Sequence, residues 1–325
     1  MRAAIITRPG GPEVLEVHDV EIPEPAGEQV RIRVHTSGIN RADLLQRAGG
    51  YPAPPGSPPN IPGLEFAGEV DAIGPLVQMW KPGQRVMGLV GGGAQAEYIL
   101  SHEGLLVEIP QNLDFVQAAG IPEVFMTAHD ALFTQAGLEM GERVLIHAVG
   151  SGVGTAAIQL AQAAGATTFG TSRTPRKLEL AKELGLDVGL ADQNFAAEVN
   201  SLTKGEGVHV VIDFIGAPYM EQNLQALAMW GRMVFLATMG GVQANVNLGL
   251  LMGKRISMRG VTMRTRTLEE KLAVKHRFET DVLPLLASGT VKPVIESVFP
   301  LEKIGEAHRV MGENKNFGKL VVRVD

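Results

Sequence analysis

The sequence predicts an α/β protein built in two parts, one β-rich and irregular, the other a parallel sheet whose strands alternate with helices. Three observations carry this. A chain of 325 residues is longer than one hydrophobic core ordinarily serves, so two domains are expected. Its first 122 residues hold short Val- and Ile-rich runs between Gly and Pro turns, the pattern of a strand-rich domain. Between Glu123 and Gly289 near-continuous apolar runs alternate with longer helical patterns, as repeated βαβ units require. The expected division is residues 1–122, then 123–290 for the parallel-sheet domain, then 291–325 returning to the first domain.

In the first part, residues 2–7, 30–36, 65–73 and 85–89 are expected strands, because Val and Ile alternate there with polar residues. Residues 51–62 carry six prolines in twelve positions. Proline lacks the N–H that helices and central strands use, so this segment is a loop. A loop of that length is either a binding rim or a rigid connector.

In the second part, RVLIHA at residues 143–148 is a buried strand and residues 153–164 form a helix rich in Ala, Gln and Leu. The next strand is expected at 167–171 and the next helix at 176–184. VHVVIDF (208–214) and RMVFLAT (232–238) are unbroken apolar runs, as strands covered on both faces are. RISMRGVTM (255–263) reads as an edge strand. Exposed edges pair across two-fold axes, so a homodimer is expected. A helix over 280–288 stops at Gly289, which suits a left-handed cap. Residues 301–313 form one helix among short C-terminal strands.

Composition narrows the function classes. Apolar residues make up 45% of the chain and charged residues 20%, ordinary for a globular protein. The net charge of −6 argues against nucleic acid or an anionic membrane as the main partner. Cysteine is absent, which excludes disulfides, thiolate nucleophiles and every cysteine-ligated zinc site. The N-terminal residues lack the apolar core of a signal peptide, and no apolar run reaches membrane-spanning length. A cytoplasmic location is expected.

The stretch VLIHAVGSGVGTAA (144–157) runs from a strand through a glycine-rich turn directly into a helix. That is the context in which a dinucleotide diphosphate approaches bare backbone and meets free N–H groups at a helix start. Gly150, Ser151, Gly152, Val153 and Gly154 form the turn, and Ala157 completes a G-x-G-x-x-A pattern begun at Gly152. A merely tight strand–helix turn is the plainer alternative. The second strand selects the dinucleotide. An NAD enzyme places a carboxylate near its end to meet the ribose 2′-hydroxyl. Here the strand ends Gly170-Thr171-Ser172-Arg173, with Arg176 and Lys177 following. A hydroxyl donor and cations suit the 2′-phosphate of NADPH; alternatively Arg176 and Lys177 are only a solvated helix start.

Several polar residues have plain readings. His147 is expected to be a packed imidazole with satisfied nitrogens in preference to a catalytic base, and His129 and Asp130 to cap or pair in preference to lining a cleft. Asp43, close to Asn40, is either structural or a proton relay. Ser151 lies inside the phosphate turn and not in a nucleophile elbow.

Taken together, MRAAIITRPGGPEVLEV, SGINRADLLQRAGGYPAPPG, PGLEFAGEV, IPEVFMTAHDAL, HAVGSGVGTAAIQLA, VIDFIG and NKNFGKLVV resemble, in order and spacing, the zeta-crystallin-type quinone oxidoreductases. These form a zinc-free branch of the medium-chain dehydrogenase/reductase superfamily. The resemblance implies a Rossmann-type parallel-sheet domain, a β-rich GroES-like catalytic domain and a cleft between them as the site. In zinc alcohol dehydrogenases of the superfamily the catalytic ligands fall at positions that are here Asn40, Leu64 and the Pro122-Glu123 pair. Amide and leucine side chains cannot hold zinc, so no metal is expected. Glu65 is expected to be a structural carboxylate.

The resemblance further implies NADPH passing a hydride to a quinone, with Asn40 and Tyr51 as the catalytic contacts. Asn40 also meets the nicotinamide ribose, as Thr127, Met239, Gly240 and Asn316 meet the cofactor. Phe214 and Ile215 of VIDFIG, with Ser172, Arg173 and Lys177, complete the set. Relatives show a tyrosine near the adenine-ribose phosphate where this chain offers Asp192, a carboxylate that would repel a 2′-phosphate: either it pairs with Arg173 or Lys177, or it points away, or the preference for NADPH is weaker than the basic cluster suggests. Two other functions remain open: reduction of an enone or α,β-unsaturated carbonyl by the same cofactor, and a non-catalytic NADPH-binding or redox-sensing role.

Overall fold

The structure is a computed structural model and describes residues 1–191 and 193–324. Asp192 lies outside the described residues, so the question of its pairing stays with the sequence. The chain divides into two compact units, residues 1–126 together with 263 onward, and Thr127–Thr262. Among the described residues no helix is long and apolar enough to cross a membrane.

The first unit is built on a seven-stranded sheet. Its central strand, Gln29–Gly38, buries Val30, Ile32 and Val34 on alternate positions, the period of a strand covered on one face. It pairs antiparallel with Glu65–Ile73, Tyr98–His102 and Lys319–Arg323. Phe66, Val70, Val86, Leu106, Leu320 and Val322 fill the core. The returning strand Lys319–Arg323 sets Val321 opposite Gly38, and this register brings Lys319 to the level of Asn40. The expected strands at 65–73 and 85–89 match Glu65–Ile73 and Arg85–Leu89.

The compact units divide at 126/127 and 262/263, where the sequence suggested 122 and 290. Residues 263–290 pack within the first unit. Their helix begins at Leu268 and not at residue 280, and runs as Leu268–Arg277 before continuing to Leu283–Ala287. Thr267 caps it, its hydroxyl accepting the Glu270 N–H while the Glu270 carboxylate accepts the Thr267 N–H at 2.8 Å. Val274, Phe278, Val282 and Leu286 are all buried, and their four-residue spacing forms one stripe. Leu272 lies against Gly104, which ties the helix to the first unit. Gly289 ends it at φ +77°, in the left-handed region its position called for.

The second unit is a six-stranded parallel sheet. Its strands are β1 (Arg143–Ile146), β2 (Thr167–Ser172), β3 (Val188–Ala191), β4 (Val208–Asp213), β5 (Leu227–Phe235) and β6 (Ser257–Gly260). They lie in the order β3-β2-β1-β4-β5-β6, the doubly wound arrangement. The helices are α1 (Gly152–Ala163), α2 (Pro175–Lys182), α3 (Phe195–Leu202), α4 (Met220–Ala226) and α5 (Leu248–Lys254). Leu145, Phe169, Leu190, Phe195, Val211, Leu224 and Met233 form its core. Strand order reverses between β1 and β4, so the loops after these strands diverge and leave a crevice at their carboxyl ends.

Candidate active site

After β1 the chain turns through His147 and through Ala148, whose φ is +48°, to Ser151, the N-cap of α1. The Ser151 hydroxyl accepts the Gly154 N–H at 3.0 Å. The first-turn N–H groups of Gly152 and Val153 have no acceptor within the helix, which makes this helix start a phosphate seat. The glycines have divided tasks. A Cβ at Gly154 would lie 2.6 Å from the Ala148 carbonyl oxygen and 2.9 Å from the Val149 Cα, so Gly154 lets the turn pack on itself. A Cβ at Gly150 would lie 2.7 Å from Lys177 Cδ. The space over Gly150 is therefore used by the Lys177 stem, which lays this cation across the turn.

Behind the turn runs a buried hydrogen-bond chain. His147 Nδ1 is 2.8 Å from Thr171 Oγ1 and Nε2 is 2.7 Å from Asn223 Oδ1. Asn223 Nδ2 donates to Asp213 Oδ2 at 3.0 Å, and Asp213 Oδ1 accepts the N–H groups of Ile215 and Gly216 at 2.6 and 3.1 Å. Burial holds the imidazole below its ordinary pKa, so the ring is neutral. The Asn223 amide donates to Asp213, so its oxygen accepts from His147 Nε2–H, and Thr171 donates to Nδ1. His147 is thus a satisfied core imidazole, as its position suggested.

This chain fixes the loops that follow β1 and β4 against each other. The loop after β5 joins them, since Met239 N–H donates to the Phe214 carbonyl at 3.1 Å and Gly240 N–H to that of Ile215 at 2.8 Å. Phe214 is buried, Ile215 half-buried, and Met239 and Gly240 are exposed. Ser172 closes β2 with its hydroxyl accepting the Thr174 N–H at 3.1 Å. Arg173 and Arg176 are exposed and Lys177 half-buried. Gly150 to Gly154, Ser172 to Lys177, Phe214, Ile215, Met239 and Gly240 therefore all follow carboxyl ends of neighbouring strands. Thr127, at the start of this unit, has a buried hydroxyl without a hydrogen-bond partner. These groups fit a nicotinamide dinucleotide: a bare-backbone turn, a helix start, cations at the end of β2 and an unused hydroxyl.

In the first unit a buried polar cluster surrounds Asn40. Its amide Nδ2 donates to Glu65 Oε1 at 2.8 Å and its Oδ1 accepts from Lys319 Nζ at 2.8 Å. Lys319 also donates to Glu65 Oε1 and to the Ile39 carbonyl. Glu65 Oε2 takes the Glu123 N–H at 2.8 Å. Glu65 is fully buried and Lys319 nearly so, and each has its partners, as buried charges require. Among the described residues no group of three His, Cys, Asp or Glu could hold a metal. An amide, a leucine and a carboxylate neutralised by an ammonium do not fit zinc.

Asp43 has a structural part. Its oxygens accept the N–H groups of Asn40 at 2.8 Å and Gly63 at 3.0 Å, holding the start of the helix Arg41–Arg47 against the proline-rich loop. Asp130 and His129 are buried; Gln135 donates to Asp130, and His129 packs against Phe133. Asn316 is buried and its amide donates to the Gly318 carbonyl at 2.7 Å. Tyr51 is half-buried, with the Arg264 guanidinium 5.1 Å over its ring. Burial raises its pKa, so the phenol stays protonated near neutrality. Sequence reasoning singled out neither Lys319 nor Arg264. Lys319 stands in the NFGK motif already noted, whereas nothing local to Arg264 reports its partners.

Fold and site together define a nicotinamide-dependent oxidoreductase. Two family models match, the zinc-binding dehydrogenase over residues 152–287 and the alcohol dehydrogenase GroES-like domain over residues 26–111. The quinone oxidoreductase of Rattus norvegicus is 33% identical over 99% of this chain and 97% of its own. That of Pseudomonas aeruginosa is 34% identical over 96% of each. Among solved structures, an NAD-dependent alcohol dehydrogenase matches with a TM-score of 0.90 at 34% identity, covering 100% of both chains. An enoyl reductase matches at 0.88 and 29% identity, over 100% of this chain and 99% of its own. A mycobacterial protein complexed with NADPH matches at 0.89 and 26%, over 99% and 100%. The chain belongs to the zeta-crystallin-like quinone oxidoreductase family of the medium-chain dehydrogenase/reductase superfamily.

Two outcomes follow from these networks. His147→Phe keeps the ring volume but strands the Thr171 hydroxyl and the Asn223 carbonyl. Denaturant unfolding should show a loss of about 2–6 kcal/mol, at ~1–3 kcal/mol for each of the two unpaired buried groups; an unchanged midpoint refutes the chain's importance. Burial raises the Asp43 carboxyl from 3.8 to about 6, so the folded chain holds that proton more tightly than the unfolded one. The resulting stability is complete below the ordinary pKa and is lost as pH rises through about 6. Buried His308, held down to about 3, acts oppositely: its contribution is complete above its ordinary pKa and is lost as pH falls toward 3. Comparison with Asp43→Asn isolates the aspartate. The wild type should lose, relative to that variant, on the order of 3 kcal/mol between pH 4 and 7, and parallel stability profiles would contradict the assignment.

Proposed function

We propose that the chain is a cytoplasmic, metal-free enzyme that reduces quinones with NADPH by hydride transfer. The observation that carries this is the Asn40–Glu65–Lys319 cluster. At one position where zinc relatives hold a metal ligand this chain has the Asn40 amide, with the Lys319 ammonium committed to Glu65, Asn40 and Ile39; the donors left for a substrate are the neutral Asn40 amide and the Tyr51 phenol. An alcohol or simple ketone needs stronger polarisation. A quinone is already electrophilic and needs a flat slot with a hydrogen bond to its oxygen. When bound, the reduced nicotinamide supplies a hydride; a proton from solvent completes the hydroquinone. The chain's part is to seat the diphosphate on the turn between Ala148 and Val153 and to hold the acceptor at Asn40 and Tyr51.

The cations after β2 support NADPH over NADH, since Ser172, Arg173 and Lys177 suit a 2′-phosphate. The solved relative complexed with NADPH points the same way and the NAD-dependent alcohol dehydrogenase does not, so direct titration decides. Enone reduction is the second reading, favoured by the likeness to an enoyl reductase. The exposed strand β6, all four of whose residues face solvent, supports a homodimer formed edge to edge.

The purified protein should consume NADPH with 1,4-naphthoquinone or phenanthrenequinone. Arg173→Ala and Lys177→Ala should each weaken NADPH binding, but not NADH binding, by ~1–3 kcal/mol for the charge-assisted hydrogen bond removed. No affinity for either nucleotide would end the proposal. Sedimentation at micromolar concentration should give a dimer, and a monomer there refutes the edge pairing.

A further inference from the structure

The proline-rich loop, residues 51–62, has an anchoring problem that its composition creates. Half of its residues lack an N–H, so the loop can hold itself by few backbone bonds. Its far end is secured through its carbonyls, which accept the N–H groups of Ile6 at Asn60, Gly93 at Ile61 and Gln95 at Pro62. The near end, which carries Tyr51, is held by a side chain from far along the sequence.

That side chain is Arg264, only 5% exposed. Its Nε donates to the Gly91 carbonyl at 2.7 Å, Nη1 to the Tyr51 carbonyl at 3.0 Å and Nη2 to Gln46 Oε1 at 2.5 Å. Gln46 passes the restraint on, donating to the Pro59 carbonyl at 3.1 Å. Gly91 is itself packed under the loop, because a Cβ there would lie 2.4 Å from Ser57 Oγ and 2.7 Å from Pro54 Cγ. The same guanidinium lies over the Tyr51 ring. One planar fork thus binds the Tyr51 end of the loop and the strip beneath it, reaches Pro59 through Gln46, and covers one face of the aromatic ring. Only a planar donor with several fixed N–H directions can do this; an ammonium would satisfy one or two of the contacts.

We propose that Arg264 is a specificity-determining positioning residue, which presets Tyr51 and the proline-rich loop as a rigid wall that favours flat, stiff acceptors over flexible ones. This rests on the reading of Asn40 and Tyr51 as the acceptor site. A wall ordered before the acceptor arrives costs no ordering on binding, and that advantage is realised by a planar quinone that matches it. A linear enal adapts its own torsions and gains less. Because the Tyr51 backbone, its ring and the loop's Pro59 are held by the same group, loosening one loosens all three.

The test uses the full chain with NADPH, 1,4-naphthoquinone and trans-2-hexenal. Arg264→Met, similar in length but without donors, should raise the KM for naphthoquinone about tenfold while leaving kcat within about twofold. Its KM for hexenal and its affinity for NADPH should stay near the wild-type values. Hydrogen exchange should rise across the amides of residues 51–61, and Arg264→Lys should recover part of both effects. Should Arg264→Met fail to fold, Arg264→Lys alone should show the smaller KM increase and partial loss of protection. Equal losses for both acceptors, or loop exchange unchanged in the variants, overturn the proposal. A wild type that turns over neither acceptor overturns the functional reading and the acceptor selection with it, and loop exchange then still judges the clamp.

Discussion

The parallel-sheet unit depends on the hydrogen-bond chain from Thr171 through His147 and Asn223 to Asp213. A doubly wound sheet opens a crevice where its strand order reverses, but an open crevice has loops that nothing in the sheet ladder holds in register. Here the reversal lies between β1 and β4, and the chain crosses it beneath the surface. Asp213 turns its own loop by accepting two N–H groups, and Asn223 and His147 relay that position to the end of β2. The glycine turn, the cations after β2 and the loop after β4 are thereby placed by one network. A neutral imidazole suits the task, because a buried cation at its position would need a further partner.

The first unit solves a related problem with charge. Asn40, Glu65 and Lys319 come from three separate stretches of chain, and each is buried. A carboxylate and an ammonium at that depth are costly apart and tolerable together. Lys319 distributes its protons among Glu65, the Asn40 amide and the Ile39 carbonyl. This fixes which way the Asn40 amide faces, with its oxygen toward the ammonium and its nitrogen toward the carboxylate. The cluster therefore holds a buried salt bridge whose charges are met within the cluster.

What could be read in the sequence and what could not follows from the range of each interaction. The glycine turn, the strand ends and the cations after β2 are local, and β4, β6 and Gly289 lay where the apolar runs and turn residues put them. The start of the helix at Leu268 was also local, written in the Thr267–Glu270 capping pair, but its polar first turns hid the apolar stripe that begins later. Boundaries set by packing were not local: residues 263–290 look helical in either unit, and only their contacts assign them. Likewise, His147 could be read as satisfied but its partners could not, since Asn223 lies 76 residues away. The bonds of Arg264 span 213 and 218 residues to Tyr51 and Gln46, beyond any periodicity.

The two units therefore divide the chemistry by how much rigidity each step needs. Hydride transfer depends on sub-ångström placement of the reacting atoms, and the dinucleotide unit answers with a buried network whose every polar atom from Thr171 to Asp213 is committed. In the first unit the proposed acceptor contacts are neutral donors, and one of them, Tyr51, opens a loop with few hydrogen bonds of its own. Such a loop would be poorly ordered if its near half were held only by its own backbone, since prolines restrict φ but supply no cross-links. Long-range side-chain donors from Gln46 and Arg264 make up the deficit. The loop is consequently held where those donors reach, which suits the proposed acceptor site of an enzyme whose substrate is reactive by its own electronic structure and needs alignment more than activation.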